Sequence, residues 1–83
     1  MDLRANIRTS ILAILGDRGR QKTMCPSEAA RAVFSVDGWR AQMPLVREVA
    51  FEMAAEELIE VCQSGLPIEP AGASGPIRLR LKK

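Results

Sequence analysis

Two prolines in the middle of the chain, Pro26 and Pro44, constrain its fold more than any other feature. Proline has no backbone N–H, so it fits the first turn of a helix but removes a hydrogen bond from a helix interior. Glu28, in the turn that follows Pro26, favours the positive end of a helix dipole. We therefore predict one helix from Pro26 to about Ser35 and another that begins at Pro44, with residues 39–43 as a turn between them.

Apolar side chains predict an earlier helix over residues 3–15, because they recur at helical spacing. They are Leu3, Ile7, Ile11, Ile14 and Leu15. Asp2 has a suitable side chain to cap the start of this helix, and Gly16 is expected to end it. We expect Arg4 and Arg8 on its outer face.

The remaining elements are predicted to be strands. Residues 58–63 are rich in branched side chains, and residues 77–81 alternate strictly, with both arginines on one face. Residues 22–24 are compatible with a very short strand. A turn at 64–65 and a long loop over 67–76, rich in proline and glycine, separate the two C-terminal strands.

The resulting order is helix, short strand, helix, helix, strand, loop and strand, which is the order of a winged helix-turn-helix. The expected fold class is therefore α+β, mainly α, with three helices plus a C-terminal β-hairpin wing. We expect one domain over residues 1–83. The alternative is a three-helix domain with an incidental hairpin.

Composition argues against several functional classes. The chain has two cysteines and no histidine, whereas a structural zinc site usually needs four such ligands, so we expect no metal and no cofactor. Ser27 has no candidate base in its motif, and no glycine-rich phosphate loop is present, so we expect no catalytic residue and no enzyme.

The longest apolar run is too short to span a membrane, and we expect a cytoplasmic protein without a signal peptide. Cys25 is either a redox-active thiol at a helix start or a small half-buried residue.

Three side chains near the predicted third helix are the first candidates for a binding site. Arg40, Gln42 and Arg47 lie where the recognition helix of a winged helix faces base edges. Arginine can form two hydrogen bonds with guanine, and glutamine can do the same with adenine. Alternatively, the two arginines pair with carboxylates and hold the helices together, the candidates being Glu28, Asp37 and Glu48.

The last strand and the tail carry a second basic group, formed by Arg78, Arg80, Lys82 and Lys83. These residues are candidates for phosphate contacts by a wing. They are equally compatible with an edge strand that charge protects from aggregation.

An acidic row follows the recognition positions and argues against simple DNA binding. Its members repeat at helical spacing and are Glu48, Glu52, Glu56, Glu57 and Glu60. Such a face repels phosphate, so the C-terminal half of the third helix would have to point away from DNA. The row could instead bind a basic protein partner through Glu48, Glu52 and Glu56, or form an ordinary solvated face.

Several motifs resemble a small bacterial family of uncharacterised proteins, domain of unknown function 3253. They are the stretch 25–33, the Trp39-Arg40 pair, Met43, the Val46-Arg47 pair and the stretch 75–79. The resemblance extends from about Ile7 to Leu81, and it implies a winged-helix-like fold with no established activity. The family often has a glycine after the third helix, where this chain has Glu56-Glu57.

Two functions are therefore expected to compete. The first is a non-catalytic winged-helix domain that binds nucleic acid, duplex DNA in particular. The second is a protein–protein interaction module on the same fold. A homodimer is compatible with both.

Overall fold

Three helices and a four-stranded antiparallel sheet make up the part of the chain that the computed structural model describes, residues 2–69 and 75–82. The helices are α1 (Leu3–Arg18), α2 (Pro26–Val33) and α3 (Met43–Ala55), and a single 3₁₀ turn (Arg40–Gln42) precedes α3. The strands are β1 (Thr23–Met24), β2 (Ile59–Gln63), β3 (Leu66–Pro67) and β4 (Arg78–Leu81). The fold is thus α+β and mainly helical. Within the described residues, no helix combines the length and apolar character needed to cross a bilayer.

The predicted helix starts are confirmed. The Asp2 carboxylate caps α1 by accepting a hydrogen bond from the Arg4 backbone N–H at 3.0 Å. Pro26 lies in the first turn of α2, and the Glu28 carboxylate accepts a hydrogen bond from the Cys25 backbone N–H at 2.9 Å. Pro44 lies in the first turn of α3, directly after the 3₁₀ turn. The local signals were therefore sufficient to place these three starts.

The predicted end of α1 at Gly16 is wrong, because the helix continues to Arg18. Its actual C-cap is Gly19, which has a φ of 101° and donates a backbone hydrogen bond to the Leu15 carbonyl at 2.9 Å. The last turn of α1 is held by Arg18, whose guanidinium pairs with Glu28 at the start of α2. The helix thus continues through Gly16, which costs about 1 kcal/mol relative to alanine, and its last turn carries an ion pair to α2.

The strands lie in the order β1-β4-β2-β3. Ser64 and Gly65, the predicted turn, both have positive φ values, 52° and 81°, as a two-residue type I′ hairpin requires. This turn joins β2 to β3 (Leu66–Pro67), a strand that the sequence did not predict because the long loop was expected to begin at Pro67. The part of that loop at residues 70–74 lies outside the described residues.

The core contains side chains from all three helices and from the sheet. The helices contribute buried residues from α1 (Ile7, Ile11, Leu15), α2 (Ala29, Ala30) and α3 (Val46, Val49, Ala50, Met53). The sheet and the segment before β4 add Met24, Ile59, Val61, Ile77 and Leu79. Because strand residues fill the same core as the helices, the hairpin is not incidental to the fold.

The end of α3 has an unusual residue in a standard capping arrangement. The backbone N–H groups of Glu57 and Leu58 donate to the carbonyls of Ala54 and Met53, both at 3.0 Å, which is the pattern of a Schellman cap. Glu57 occupies the left-handed position of this cap, with a φ of 65°. That position normally favours glycine, so the Glu56-Glu57 departure noted above coincides with a strained backbone.

Candidate nucleic-acid interface

The turn between α2 and α3 is organised around Trp39. The Ser35 carbonyl accepts backbone hydrogen bonds from Gly38 at 3.0 Å and from Trp39 at 3.1 Å. The Trp39 carbonyl in turn accepts one from Gln42 at 3.0 Å. Trp39 is half-buried and packs against the core, as expected for an anchor residue. Hydrogen bonds on both sides therefore fix the backbone of Trp39, and its side chain packs against the core.

Two arginines stack on this indole ring. The guanidinium carbons of Arg31 and Arg40 lie 4.6 Å and 4.5 Å from the ring centroid, within the range of cation–π contacts. Both arginines are exposed. Neither forms a salt bridge with any carboxylate in the described part of the chain. We call Arg31, Trp39 and Arg40 the Trp39 cluster.

Arg31 was not predicted as a site residue. It lies on α2, eight positions before Trp39, and no local spacing rule links the two positions. The contact arises because the turn brings Trp39 back towards the end of α2. The sequence could have indicated this contact only if the conformation of the turn between α2 and Trp39 had been known.

The predicted recognition residues lie at the start of α3, and the predicted ion pairs that competed with this role are wrong. Arg47 is half-buried, stacks on the Phe51 ring at 5.6 Å and donates a hydrogen bond to the Gly75 carbonyl at 3.2 Å. Gln42 is half-buried at the end of the 3₁₀ turn. Neither Arg40 nor Arg47 pairs with Glu28 or Glu48, because Arg18 and Arg4 occupy those carboxylates. Asp37, the third predicted partner of these arginines, makes no salt bridge among the described residues.

The basic residues of β4 and the segment after it are largely neutralised. Arg80 pairs with Glu60 at 2.9 Å, and this hydrogen bond raises the pKa of the arginine. Lys82 pairs with Glu57 at 3.2 Å. The alternative interpretation of this strand as a charged sheet edge is wrong, because β4 lies between β1 and β2. Lys83 lies outside the described residues.

Arg78 differs from its neighbours on this strand. It donates to the Thr23 hydroxyl at 3.0 Å and to the Thr23 carbonyl at 3.3 Å. Both acceptors are neutral, so these bonds fix the side chain without forming an ion pair. The charge of Arg78 does help to lower the pKa of the Glu28 carboxyl, which is itself paired with Arg18. Arg78 is therefore the candidate on β4 that forms no salt bridge within the described residues.

The acidic row on α3 faces the arginines of α1. Arg4 donates to Glu48 and, at 2.6 Å, to Glu52, while Arg8 donates to Glu56 at 2.5 Å and 3.2 Å. The bond from Arg8 lowers the pKa of the Glu56 carboxyl, and the corresponding bonds raise the pKa values of both arginines. Arg4 and Arg8 are partly exposed, as expected for an outer face of α1, but the sequence did not predict that they also pair with α3.

These ion pairs divide the charges of the domain into two groups. Every carboxylate of the acidic row is paired, with Arg4, Arg8, Arg80 or Lys82. Among residues 2–69 and 75–82, the basic side chains without a salt bridge are Arg20, Lys22, Arg31, Arg40, Arg47 and Arg78. Three of these six lie on α2, the 3₁₀ turn and the first half of α3. Two of the three, Arg40 and Arg47, are predicted recognition residues.

The two cysteines are free thiols. Cys62 is buried in β2, and burial raises the pKa of its thiol. Cys25 is half-buried at the start of α2, where its sulfur accepts a hydrogen bond from the Ser27 hydroxyl at 3.1 Å. These surroundings match the expectation of a small half-buried residue at position 25.

Comparison with known proteins places the chain in one family. Residues 4–82 match the family described as protein of unknown function (DUF3253), which covers nearly the whole chain. The chain therefore belongs to the DUF3253 family, as its motifs indicated. No curated protein matches the chain.

Proposed function

We propose that this DUF3253 protein is a winged-helix domain that binds duplex DNA and has no catalytic role. The order α1-β1-α2-α3-β2-β3-β4 supports the winged-helix assignment, with α2 and α3 as the helix-turn-helix and the segment between β2 and β4 as the wing. The antiparallel pairing of β4 with both β1 and β2 is compatible with the same arrangement.

The observation that carries the proposal is the separation of the charged side chains into ion-paired carboxylates on α3 and arginines without a salt bridge. The acidic row was the main argument against DNA binding. With Glu48, Glu52 and Glu56 bonded to Arg4 and Arg8, this row presents much less negative charge to an approaching phosphate. The arginines without a salt bridge on α2, in the 3₁₀ turn and in the first half of α3 are left to attract the DNA backbone.

In this proposal α3 enters the major groove with its N-terminal half leading. Arg40, Gln42 and Arg47 then lie nearest the DNA, and arginine and glutamine are side chains that read guanine and adenine edges. Arg78 contributes positive charge from the sheet. Arg80 and Lys82 contribute little, because Glu60 and Glu57 neutralise them.

Fluorescence anisotropy with a labelled duplex tests the proposal. The logarithm of the association constant should fall linearly with the logarithm of salt concentration, with a slope of about 0.9 for each phosphate neutralised. The variant Arg40→Ala/Arg47→Ala should bind at least about tenfold more weakly. The matched control is Arg20→Ala/Lys22→Ala, which removes the same charge from the loop before β1. No binding by the wild-type protein at about 50 mM salt, or equal losses in both variants, would contradict the proposal.

A specific feature of α3 supports the second candidate, a protein-interaction module on the same fold. An open groove along this helix is lined by the apolar residues Met43, Pro44, Phe51 and Ala55, with Arg47, Glu48 and Glu52 beside them. Exposed apolar surface of this kind is common at protein interfaces. The acidic row itself gives this candidate less support, since its carboxylates already have partners.

The variant Ala55→Gln distinguishes the two candidates, because Ala55 is exposed in the groove at the C-terminal end of α3. A DNA-binding domain should keep most of its duplex affinity after this change, since the residues that face the DNA lie at the opposite end of the helix. An interaction module should lose its partner in a pull-down performed after nuclease treatment, while Arg31→Ala/Arg40→Ala, which leaves the groove lining intact, should retain it.

A further inference from the structure

We propose that the Trp39 cluster is a phosphate-binding clamp for the DNA backbone, in which Arg31 and Arg40 hold a phosphodiester and Trp39 orients them. The inference rests on the proposed function and extends it, because it adds Arg31 to the DNA-contacting residues and assigns Arg40 to the backbone, which leaves Gln42 and Arg47 to face base edges. It also assigns a ligand class, the backbone phosphate, that differs from a base edge.

The first argument is electrostatic. Arg31 and Arg40 both lie over the Trp39 ring, with their guanidinium carbons 4.6 Å and 4.5 Å from its centroid. Two positive charges are therefore held around one ring, and no carboxylate within the described residues forms a salt bridge with either of them. An anion bound at the edge of the ring would be attracted by both charges.

The second argument concerns the hydrogen-bond donors. Stacking on an aromatic ring uses the flat face of a guanidinium and leaves its N–H groups at the edge available. In the described part of the chain, neither the Arg31 nor the Arg40 side chain donates a hydrogen bond to another residue. Each guanidinium therefore retains the planar fork of donors that matches two oxygens of a phosphate.

The third argument is rigidity. Trp39 is fixed by the backbone bonds to Ser35 and Gln42 and by its contact with the core. Stacking restricts both arginines before any ligand arrives, so less side-chain entropy is lost when they bind one. Most exposed arginines on a helix surface lack such a platform.

The position of the cluster selects the phosphate over a base. Arg31 lies in the last turn of α2, which is the first helix of the proposed helix-turn-helix. In that arrangement the first helix crosses the DNA backbone and the second helix enters the major groove. An arginine held at the end of α2 would therefore contact backbone phosphate, and its contribution would not depend on DNA sequence.

The test compares Arg31→Ala/Arg40→Ala with the wild-type protein on two duplexes of unrelated sequence, over a range of salt concentrations. We expect the affinity to fall by about the same factor on both duplexes, at least tenfold. We also expect the slope of the salt plot to decrease by roughly 1 to 2. The control Arg20→Ala/Lys22→Ala, with the same loss of charge, should retain more affinity and a larger slope.

A second variant and a fluorescence measurement distinguish loss of the clamp from loss of folding. Arg31→Lys/Arg40→Lys keeps both charges but removes the planar forks, so it should bind more weakly than wild type with nearly the same salt slope. Trp39 is the only tryptophan of the chain, so its fluorescence reports on the cluster directly. Duplex should change this emission in the wild-type protein and leave it nearly unchanged in Arg31→Ala/Arg40→Ala.

The outcomes separate the clamp from the function on which it rests. If the wild-type protein binds duplex with a steep salt dependence but Arg31→Ala/Arg40→Ala binds like the control, the clamp is wrong and the proposed function stands. A loss confined to one of the two duplexes also overturns the clamp, because it indicates a base contact. If the wild-type protein binds neither duplex, both proposals are wrong.

Discussion

Glycine at position 57 should make the protein more stable than alanine at the same position. Glu57 occupies the left-handed position of the Schellman cap on α3, with a φ of 65°. An L residue pays about 1–2 kcal/mol for this conformation, whereas glycine adopts it freely. Both hydrogen bonds of the cap use backbone atoms of Glu57 and Leu58, so they survive the substitution.

Two smaller effects oppose this gain. Glycine raises the entropy of the unfolded chain, which costs about 0.4–1 kcal/mol. The ion pair with Lys82 is also lost, but the Glu57 side chain is 75% exposed, and such surface pairs contribute only about 0–1 kcal/mol. Glu57→Ala loses the same ion pair and keeps the strained φ, so it is the matched control.

The comparison of Glu57→Gly with Glu57→Ala therefore isolates the backbone conformation. We expect Glu57→Gly to be the more stable of the two by about 1 kcal/mol, which corresponds to a difference in Tm of about 4–8 °C for a domain of this size. Thermal melts followed by circular dichroism measure this difference, and urea titration provides an independent free energy of unfolding. A Tm for Glu57→Gly at or below that of Glu57→Ala would refute the reasoning.

Three further predictions concern charge and packing. Arg18 holds the pKa of Glu28 below its usual value of 4.5, so the stabilising effect of this carboxylate is complete above that pH and is lost as pH falls through the lower folded-state pKa. Melts of the wild-type protein should therefore lose Tm below pH 4.5 more steeply than melts of Glu28→Gln. Arg8→Ala frees the Glu56 carboxylate and should weaken duplex binding about two- to fivefold at low salt, although Arg8 lies on α1. Leu79→Ala removes a fully buried side chain and should cost about 2–5 kcal/mol in urea denaturation.

Each of these predictions has its own control. Equal acid sensitivity in Glu28→Gln and wild type would show that the Arg18 pair contributes nothing to pH dependence. The double variant Arg8→Ala/Glu56→Gln should recover the affinity lost by Arg8→Ala, and a failure to recover would mean that Arg8 acts in some other way. Leu66 is 68% exposed, so Leu66→Ala should change stability by less than about 0.5 kcal/mol. A comparable loss in both leucine variants would contradict the core described above.

The sequence was sufficient for features that depend on neighbouring residues. Pro26 and Pro44 marked helix starts because the missing N–H acts on the same helical turn, and Asp2 reaches backbone groups only two positions away. The turn at 64–65 was predicted for a similar reason. The end predicted for α1 at Gly16 was wrong, because the low helix propensity of glycine is a property of that residue alone. The Arg18–Glu28 pair in the last turn of α1 joins two different helices, and the local sequence does not indicate it.

The candidate site was only partly predictable. Arg40 and Arg47 were correctly located at the start of α3, because the order of elements was sufficient to place them. The partners of the acidic row could not be predicted, since they depend on how α1 crosses α3 and therefore on packing of the whole core. Arg31 was missed for the same reason, because its contact with Trp39 requires a specific turn.

The two edges of the sheet limit how copies of this protein can associate. At one edge, the Thr23 carbonyl of β1 already accepts hydrogen bonds from Arg18 at 3.1 Å and from Arg78 at 3.3 Å. At the other edge, Pro67 of β3 has no backbone N–H to donate. Both edges are therefore poor templates for a strand from another molecule. Any association between two copies of this domain is therefore expected to use their helices, and not to extend one sheet into the other.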